Sequence, residues 1–246
     1  LAEFLGTAPG GVIEYSYADA VRLAGHSCPT VAGAYLMTVH GLRALYGEQL
    51  PVRGEISVFM RDARDSGANG VVATVVQLLT GAAAETGFHG IGPRFSRHDL
   101  LRFEQPVQET LGLQRNDTGK AVQVSAEASL VGWPDEMRAV LPKALSGQAS
   151  ADDLARFGQL WQDRVRRIFA QADRIAIRLR HLAAVEPGDL GRRREQHVGL
   201  GQDRPAGALE VPEQPLPIRQ RQARVAVEQR VRRRERLLLA LLLVSL

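Results

Sequence analysis

The strongest constraint on the fold is a helix predicted over residues 29–46, "PTVAGAYLMTVHGLRALY". Pro29 suits the first helical position, so Cys28 becomes the N-cap residue, and Gly47 is a typical helix end. Five side chains recur at three- or four-residue spacing: Val31, Tyr35, Thr38, Leu42 and Leu45. Because this spacing places them on one side of a helix, we expect that side to lie in the core.

Segments of helix and strand type surround this helix in irregular order. "YSYADAVRLAG" predicts a helix with a capping box at Ser16 and Asp19. "GEISVFMRD" alternates as a strand does. "VVATVVQLLTG" favours a buried helix ended by Gly81, because it is apolar nearly all round.

A hairpin and two more helices are predicted further along the chain. The hairpin lies in "VQETLGLQRNDTGKAVQVSAEASL" and turns at residues 116–119. The helices are "DEMRAVLPKAL" and "SADDLARFGQLWQDRVRRIF". The second carries an apolar stripe typical of a core face or a dimer seam: Leu154, Phe157, Trp161, Val165 and Ile168. Since these elements do not form regular βα units, we predict an α+β fold.

Residues 1–173 are predicted to form the folded domain, and residues 174–246 a basic tail. From Pro187 onward the sequence has no aromatic residue and no lysine, while Arg, Gln, Pro, Leu and Gly dominate. Its end, "LLLALLLVSL", is too short to span a membrane. Two interpretations stay open: a disordered basic linker with an interfacial amphiphile, or out-of-frame translation of a GC-rich gene. The composition favours the second.

The net charge of +4 does not indicate a nucleic-acid-binding protein. Acids and bases nearly balance up to about Val185, and the surplus comes from arginines of the tail. A DNA-binding surface mixes lysine with arginine, whereas Lys120 and Lys143 are the only lysines of the chain. With one cysteine and no apolar run of about 18 residues, we expect a cytoplasmic protein without a disulfide or a transmembrane segment.

His26 and Cys28 are the candidate site residues. They precede the predicted helix, and an irregular His-x-Cys segment can turn both side chains toward one point. A cysteine at the N-cap lies in the field of the helix N-terminus, which favours the thiolate. A thiolate beside an imidazole suits a zinc ion or a nucleophile with its base. The alternative is a small buried thiol without a function.

Two segments together resemble the FmdE-like family of formylmethanofuran dehydrogenase subunits. "GHSCPTVAGAYLM" matches its Gly-His-x-Cys-Pro motif, and "NGVVATVVQLLTGAAAETG" matches its Gln-x-x-Thr-Gly motif at Gln77, Thr80 and Gly81. The resemblance covers about residues 15–105. It implies an α+β domain with helices packed on a mostly antiparallel sheet, a homodimer, and a zinc ion held by His26 and Cys28.

The chain departs from the family pattern, as a degenerate bacterial member would. Gly70, Ala73 and Ala82 stand where the family carries a cysteine, an aspartate and a further cysteine. The single cysteine also excludes the zinc ribbon with which many members end. Two motif ligands therefore remain, and a third must come from elsewhere. The candidates are His89, His98, Asp62 and Asp65.

Other histidines and two arginines are weaker candidates for a site. His40 is about 18 Å from Cys28 along the helix axis, so both cannot hold the same ion within one chain. His181 and His197 fall in the predicted tail and are discounted. Arg94 and Arg97 lie near a glycine-rich loop, where they are candidates for binding an anionic ligand.

Three functions are compatible with these residues. The first is a zinc-binding accessory domain or a domain that binds a small-molecule ligand, with no reaction assigned. The second is a thiol enzyme with Cys28 as nucleophile and His26 as base. The third is a non-catalytic dimerisation module with a buried thiol. The sequence leaves open whether the protein is an enzyme.

Overall fold

The computed structural model describes residues 1–127, 129, 131–172, 180–182 and 224–226, the last two ranges as backbone alone. Five α-helices are present among them: α1 Tyr17–Ala24, α2 Pro29–Tyr46, α3 Asn69–Thr80, α4 Asp135–Leu145 and α5 Ala151–Ala170. Nearly all of the predicted tail, including His197, lies outside the described residues. None of the described helices is long and apolar enough to cross a membrane.

Local sequence determines where the helices begin and end. At the start of α1, the backbone N–H of Ser16 donates to the Asp19 carboxylate at 2.7 Å, which completes the predicted capping box. Helix α2 begins at Pro29 after the N-cap Cys28. Helix α3 ends before Gly81, which is left-handed with φ 73°. These predicted boundaries are confirmed.

Seven strands are described, in two sheets. They are β1 Val12–Glu14, β2 Ile56–Met60, β3 Leu101–Arg102, β4 Leu111–Arg115, β5 Ala121–Val124, β6 Arg180–Leu182 and β7 Arg224–Ala226. The main sheet has the order β3-β2-β4-β5-β6, and β1 pairs with β7 in a separate parallel ladder. In the main sheet only the β2–β3 pair is parallel. The predicted α+β class and the mostly antiparallel sheet are confirmed, as is the β4–β5 hairpin.

Helix α2 is the centre of the domain and is more deeply buried than its pattern predicts. It packs against α1, α3 and α5 and against strands β4 and β5. Every residue from Val31 to Val39 is buried, not only the predicted face. The small residues Ala32, Gly33 and Ala34 allow neighbouring elements to approach from the remaining sides.

The apolar stripe of α5 divides between two environments. Val165 and Ile168 are buried with Leu36 of α2 in a second core cluster. Leu154, at the other end of the helix, is 51% exposed. The C-terminal half of the stripe is therefore a core face, as one of the two predictions stated, and α5 is part of the same domain as α2.

Candidate functional site

The loop that carries the first motif, residues 25–28, is held from two sides. The carbonyl oxygen of Ser27 accepts hydrogen bonds from Trp161 Nε1 at 3.1 Å and from Gln162 Nε2 at 3.2 Å, both on α5. The Ser27 hydroxyl lies 2.9 Å from the hydroxyl of Tyr17 on α1. Burial raises the pKa of Tyr17, an effect that this hydrogen bond opposes. The loop is therefore held by side chains of both α1 and α5.

Cys28 is the last residue of this loop and is buried. Its Sγ accepts a hydrogen bond from the backbone N–H of Val31 at 3.5 Å, so the thiol acts as the N-cap of α2. Its carbonyl oxygen accepts from Ala32 N at 2.9 Å, the first hydrogen bond within the helix. The predicted N-cap position of Cys28 is confirmed, and its thiol stabilises the start of α2.

His26 is exposed, in contrast to Cys28. Its Nδ1 lies 3.0 Å from the carbonyl oxygen of Ala24. A protonated Nδ1 donates to that oxygen and leaves Nε2 as the free ring nitrogen. His26 and Cys28 therefore make their hydrogen bonds to different backbone groups and not to each other. This geometry gives no support to a thiol enzyme in which His26 is the base.

The candidates for a third metal ligand do not complete a site. In the described part of the chain, no three His, Cys, Asp or Glu side chains lie close enough to hold a metal ion. His89 and His98 form a pair with ring centroids 4.5 Å apart, and His98 Nδ1 lies 2.8 Å from Asp99. Asp62 pairs instead with Arg61 at 3.1 Å.

The sequence departs from the FmdE-like pattern at Ala73 and Ala82, and these two residues cannot bind a metal ion. Ala73 is 6% exposed and Ala82 is fully buried, and both belong to the main core. The Ala82 N–H donates to the hydroxyl of Thr80, which donates to the carbonyl oxygen of Val76. The second motif thus closes the end of α3 by backbone and hydroxyl contacts.

Arg97 fills the space next to the second motif. Its guanidinium packs against Gly81 and Gly54, where an added Cβ would overlap it. Its Nη1 is buried without a hydrogen-bond partner among the described residues. Burial and the nearby Arg53 lower the pKa of Arg97 to about 10. Arg97 is therefore a packing residue here.

Arg94 behaves differently from Arg97, although the sequence groups the two. It is exposed, and its guanidinium lies 4.6 Å from the ring centroid of Phe95 and 5.8 Å from that of Phe4. Phe95 itself has a positive φ of 66°. Arg94 thus covers two aromatic rings at the surface, whereas Arg97 is buried.

A cavity of about 540 Å³ lies beside the first turns of α2. Its described lining combines the helix start with α3, the β5 region and α4 and α5: Pro29, Thr30, Gly33, Ala34, Met37, Val72, Thr110, Ala126, Ser129, Gly132, Trp133, Arg138 and Arg164. We call this the α2 cavity. Its volume falls in the range of small-molecule sites, about 300–1,000 Å³.

Arg164 is the most deeply buried charged group of the α2 cavity. Its Nε donates to the carbonyl oxygen of Val131 at 2.9 Å, and its guanidinium lies 5.0 Å from the ring centroid of Trp133. Burial, followed by the charge of Arg167, lowers the pKa of Arg164. The sequence carries a signal for it: Arg164 continues the spacing of the apolar stripe between Trp161 and Ile168, where a charged residue is unexpected.

A second cavity, of about 600 Å³, opens on the other side of the motif loop. We call it the α5 cavity, and its lining is mostly apolar: His26, Ser27, Leu141, Phe157, Gly158, Trp161 and Gln162. Trp161 forms its wall and meets Trp133 of the α2 cavity edge to face, with centroids 5.7 Å apart. The first motif thus separates two cavities.

Comparison with known proteins adds no relative: no family model matches the chain, and no curated protein matches it either. The resemblance to the FmdE-like family therefore depends on the two motif segments alone.

Proposed function

We propose that this chain is a small-molecule-binding domain of the FmdE-like type and that its ligand occupies the α2 cavity. The single observation that carries the proposal is Gly33. It lies inside a buried helix, where glycine destabilises by about 0.5–1 kcal/mol relative to alanine. It also lines the α2 cavity.

Packing of α2 does not require a glycine at this position. A Cβ at residue 33 would lie 3.9 Å from the Ala126 Cβ, an ordinary contact. At Gly41 on the same helix, a Cβ would lie 2.5 Å from Leu113 Cδ1, so there the neighbouring strand excludes a side chain. The absence of a side chain at Gly33 instead keeps the cavity wide next to the motif loop. A binding site explains that arrangement, because a packed core would fill the space.

The test compares Gly33→Leu with Gly158→Leu. The first substitution fills the α2 cavity and the second fills the α5 cavity, because each glycine lines one of the two. Apart from the backbone of its own helix, neither position has a backbone atom of the described residues within 4 Å of the added Cβ. Ligand-detected NMR with a mixture of small acids, amides and amines measures binding to each variant.

The proposal expects the bound compounds to be lost in Gly33→Leu and retained in Gly158→Leu. Gly33→Ala, which adds only a methyl group, serves as a milder variant if the leucine disturbs folding. Binding that survives Gly33→Leu, or that disappears only in Gly158→Leu, contradicts the assignment to the α2 cavity.

A zinc ion at the first motif is a second proposal, supported by the hydrogen bond of His26. Zinc-ligating histidines usually donate their other ring N–H to a carbonyl or carboxylate oxygen, and His26 Nδ1 faces the Ala24 oxygen in this way. Two donors alone do not fit a closed zinc site, which needs four ligands. Solvent or a second copy of the chain would have to supply the others.

Metal analysis of protein purified without a histidine tag tests the zinc proposal. About one zinc ion per chain is expected in the wild type, and Cys28→Ser should lose it. Serine retains an N-cap oxygen for α2 but is a poor zinc ligand. Zinc absent from the wild type, or unchanged in Cys28→Ser, contradicts the proposal.

A further inference from the structure

We infer that the ligand of the α2 cavity is a small organic anion, with a carboxylate or phosphate group on an apolar body. This inference rests on the proposed function, since it names the chemical class of the ligand for the same cavity. Three features of the lining support it: the two arginines, the start of α2 and the apolar wall.

The arginines place positive charge at two depths of the cavity. The Arg164 guanidinium is held at the inner wall by its hydrogen bond to Val131 and by the ring of Trp133. In a buried environment its attraction to an anion is stronger than at the surface, because the effective dielectric constant is lower. A planar guanidinium also matches the two oxygens of a carboxylate or phosphate.

Arg138 lies on α4 at the mouth of the cavity. Its nearest ion-pair partner is Asp135 at 3.8 Å, and both side chains are largely exposed. Such a long surface pair contributes little and does not prevent the arginine from turning to a ligand. An anion that enters the cavity therefore meets the exposed Arg138 first and the buried Arg164 second.

The start of α2 adds to the positive electrostatic potential that the two arginines create in the cavity. Pro29 and Thr30 of its first turn line the cavity, and the N-terminus of an 18-residue helix carries a partial positive charge. The Thr30 hydroxyl belongs to a residue of this lining, whereas the Thr110 hydroxyl lies 3.0 Å from that of Ser125 and Ser129 Oγ donates to the Glu127 carboxylate at 3.5 Å. None of the described lining residues is acidic.

The remaining wall of the cavity is apolar and favours a ligand whose uncharged part is apolar as well. Ala34 and Met37 of α2 and Val72 of α3 contribute to it. Methionine adapts to ligands of irregular shape. An anion with a small apolar body thus matches both parts of the lining, whereas inorganic phosphate has no apolar part and a neutral apolar molecule makes no charge-assisted hydrogen bond with a guanidinium.

The experiment uses four probes with one aromatic ring: benzoate, phenyl phosphate, benzamide and benzylamine. The chain has two tryptophans, so Trp161→Phe leaves Trp133, in the cavity wall, as the single fluorescent tryptophan. Titrations of this variant follow the Trp133 emission, and NMR with the unmodified chain verifies that the order of affinities is the same. Inorganic phosphate is included as an anion that has no apolar part.

We expect benzoate and phenyl phosphate to bind at least tenfold more tightly than benzamide, and benzylamine not to bind. Arg138→Gln should weaken both anions by about tenfold, as loss of one charge-assisted contact does. Arg166→Gln is the matched control: it removes one exposed arginine of α5 outside the cavity lining. It should leave the affinities unchanged.

Equal affinities for benzoate and benzamide, or no effect of Arg138→Gln, overturn the inference. The experiments also distinguish a wrong anion preference from a wrong location of the binding site. If compounds of any charge bind and Gly33→Leu abolishes their binding, the α2 cavity is a binding site and only the anion preference is wrong. If anions bind but Gly33→Leu has no effect, the site itself is misplaced.

Discussion

The start of α2 and the end of α3 carry the two motif segments, and they differ in the space around their glycines. At Gly33, one turn into α2, an added Cβ makes an ordinary contact with Ala126. At Gly81, just after α3, it would overlap the Arg97 guanidinium and lie 3.0 Å from Arg53 Cγ. The first region is open and the second is fully packed.

This difference assigns separate roles to the two motif segments. The open region borders a cavity with charged and apolar walls, which a ligand can enter. In the packed region, glycine is required by the backbone and by a buried arginine, so the Thr-Gly match has a structural explanation within this chain. The residues that would contact a ligand in the α2 cavity therefore include those of the first segment and of α4 and α5.

The largest effect is expected for Gly81→Ala in the packed region. The variant should lose about 2–4 kcal/mol of unfolding free energy, because alanine resists the left-handed conformation and its Cβ displaces Arg97. Gly25→Ala is the matched control, since Gly25 ends α1 with φ 74° and ψ 1°, close to the 73° and 5° of Gly81.

At Gly25 no atom of the described residues, chain neighbours apart, lies within 4 Å of the added Cβ, so this control isolates the backbone cost, about 1 kcal/mol. Urea denaturation measures both variants. Equal losses for Gly81→Ala and Gly25→Ala would show that Arg97 moves away freely, and the contrast between the two regions would then be smaller than described.

Trp161→Phe should have an intermediate effect, of about 1–2 kcal/mol. It removes the hydrogen bond to the Ser27 carbonyl and some apolar contact, while Gln162 still donates to the same oxygen. Because the loop loosens, the rate at which a thiol reagent modifies Cys28 should rise. An unchanged rate would mean that α5 does not control access to the motif.

A smaller effect of opposite sign is expected for Gly33→Ala in the open region. Alanine should raise the unfolding free energy by about 0.5–1 kcal/mol, because it is a better helix former and meets no obstacle. Gly41→Ala on the same helix provides the contrast and should destabilise, since its Cβ would crowd Leu113. Thermal denaturation measures the stability of both variants. A lower unfolding free energy for Gly33→Ala would contradict the open space around Gly33.

Cys28→Ser should change the unfolding free energy least, by about 0.5 kcal/mol or less. Serine is a good N-cap residue and accepts from the Val31 N–H as the thiol does. Urea denaturation measures the change. A loss of several kcal/mol would show that burial of the sulfur matters more than the cap.

Local features of the fold could be predicted from the sequence because each has a short-range cause. Pro29 and Gly81 mark helix ends by their backbone preferences, and the capping box of Ser16 requires only Asp19 three residues away. The turn between β4 and β5 is equally local. These predictions needed no knowledge of the tertiary structure.

The candidate site could be predicted only in part, because its walls come from distant segments. His26 and Cys28 stand out by their motif, but periodicity cannot tell that one is exposed and the other caps a helix. Trp133 and Arg164 line the α2 cavity although both lie far beyond Cys28 in the sequence. Arg164 leaves one local signal, a charge on an apolar stripe, while Arg138 leaves none.

The hydrogen bond from Trp161 to Ser27 also has a consequence for the order of folding. It joins residues 134 positions apart in the chain, so it closes a very long loop. Contacts of such separation lose more chain entropy on formation than local ones and tend to form late. We therefore expect the loop with His26 and Cys28 to reach its final conformation only when α5 docks, so that protection of Cys28 from a thiol reagent during refolding reports this docking step.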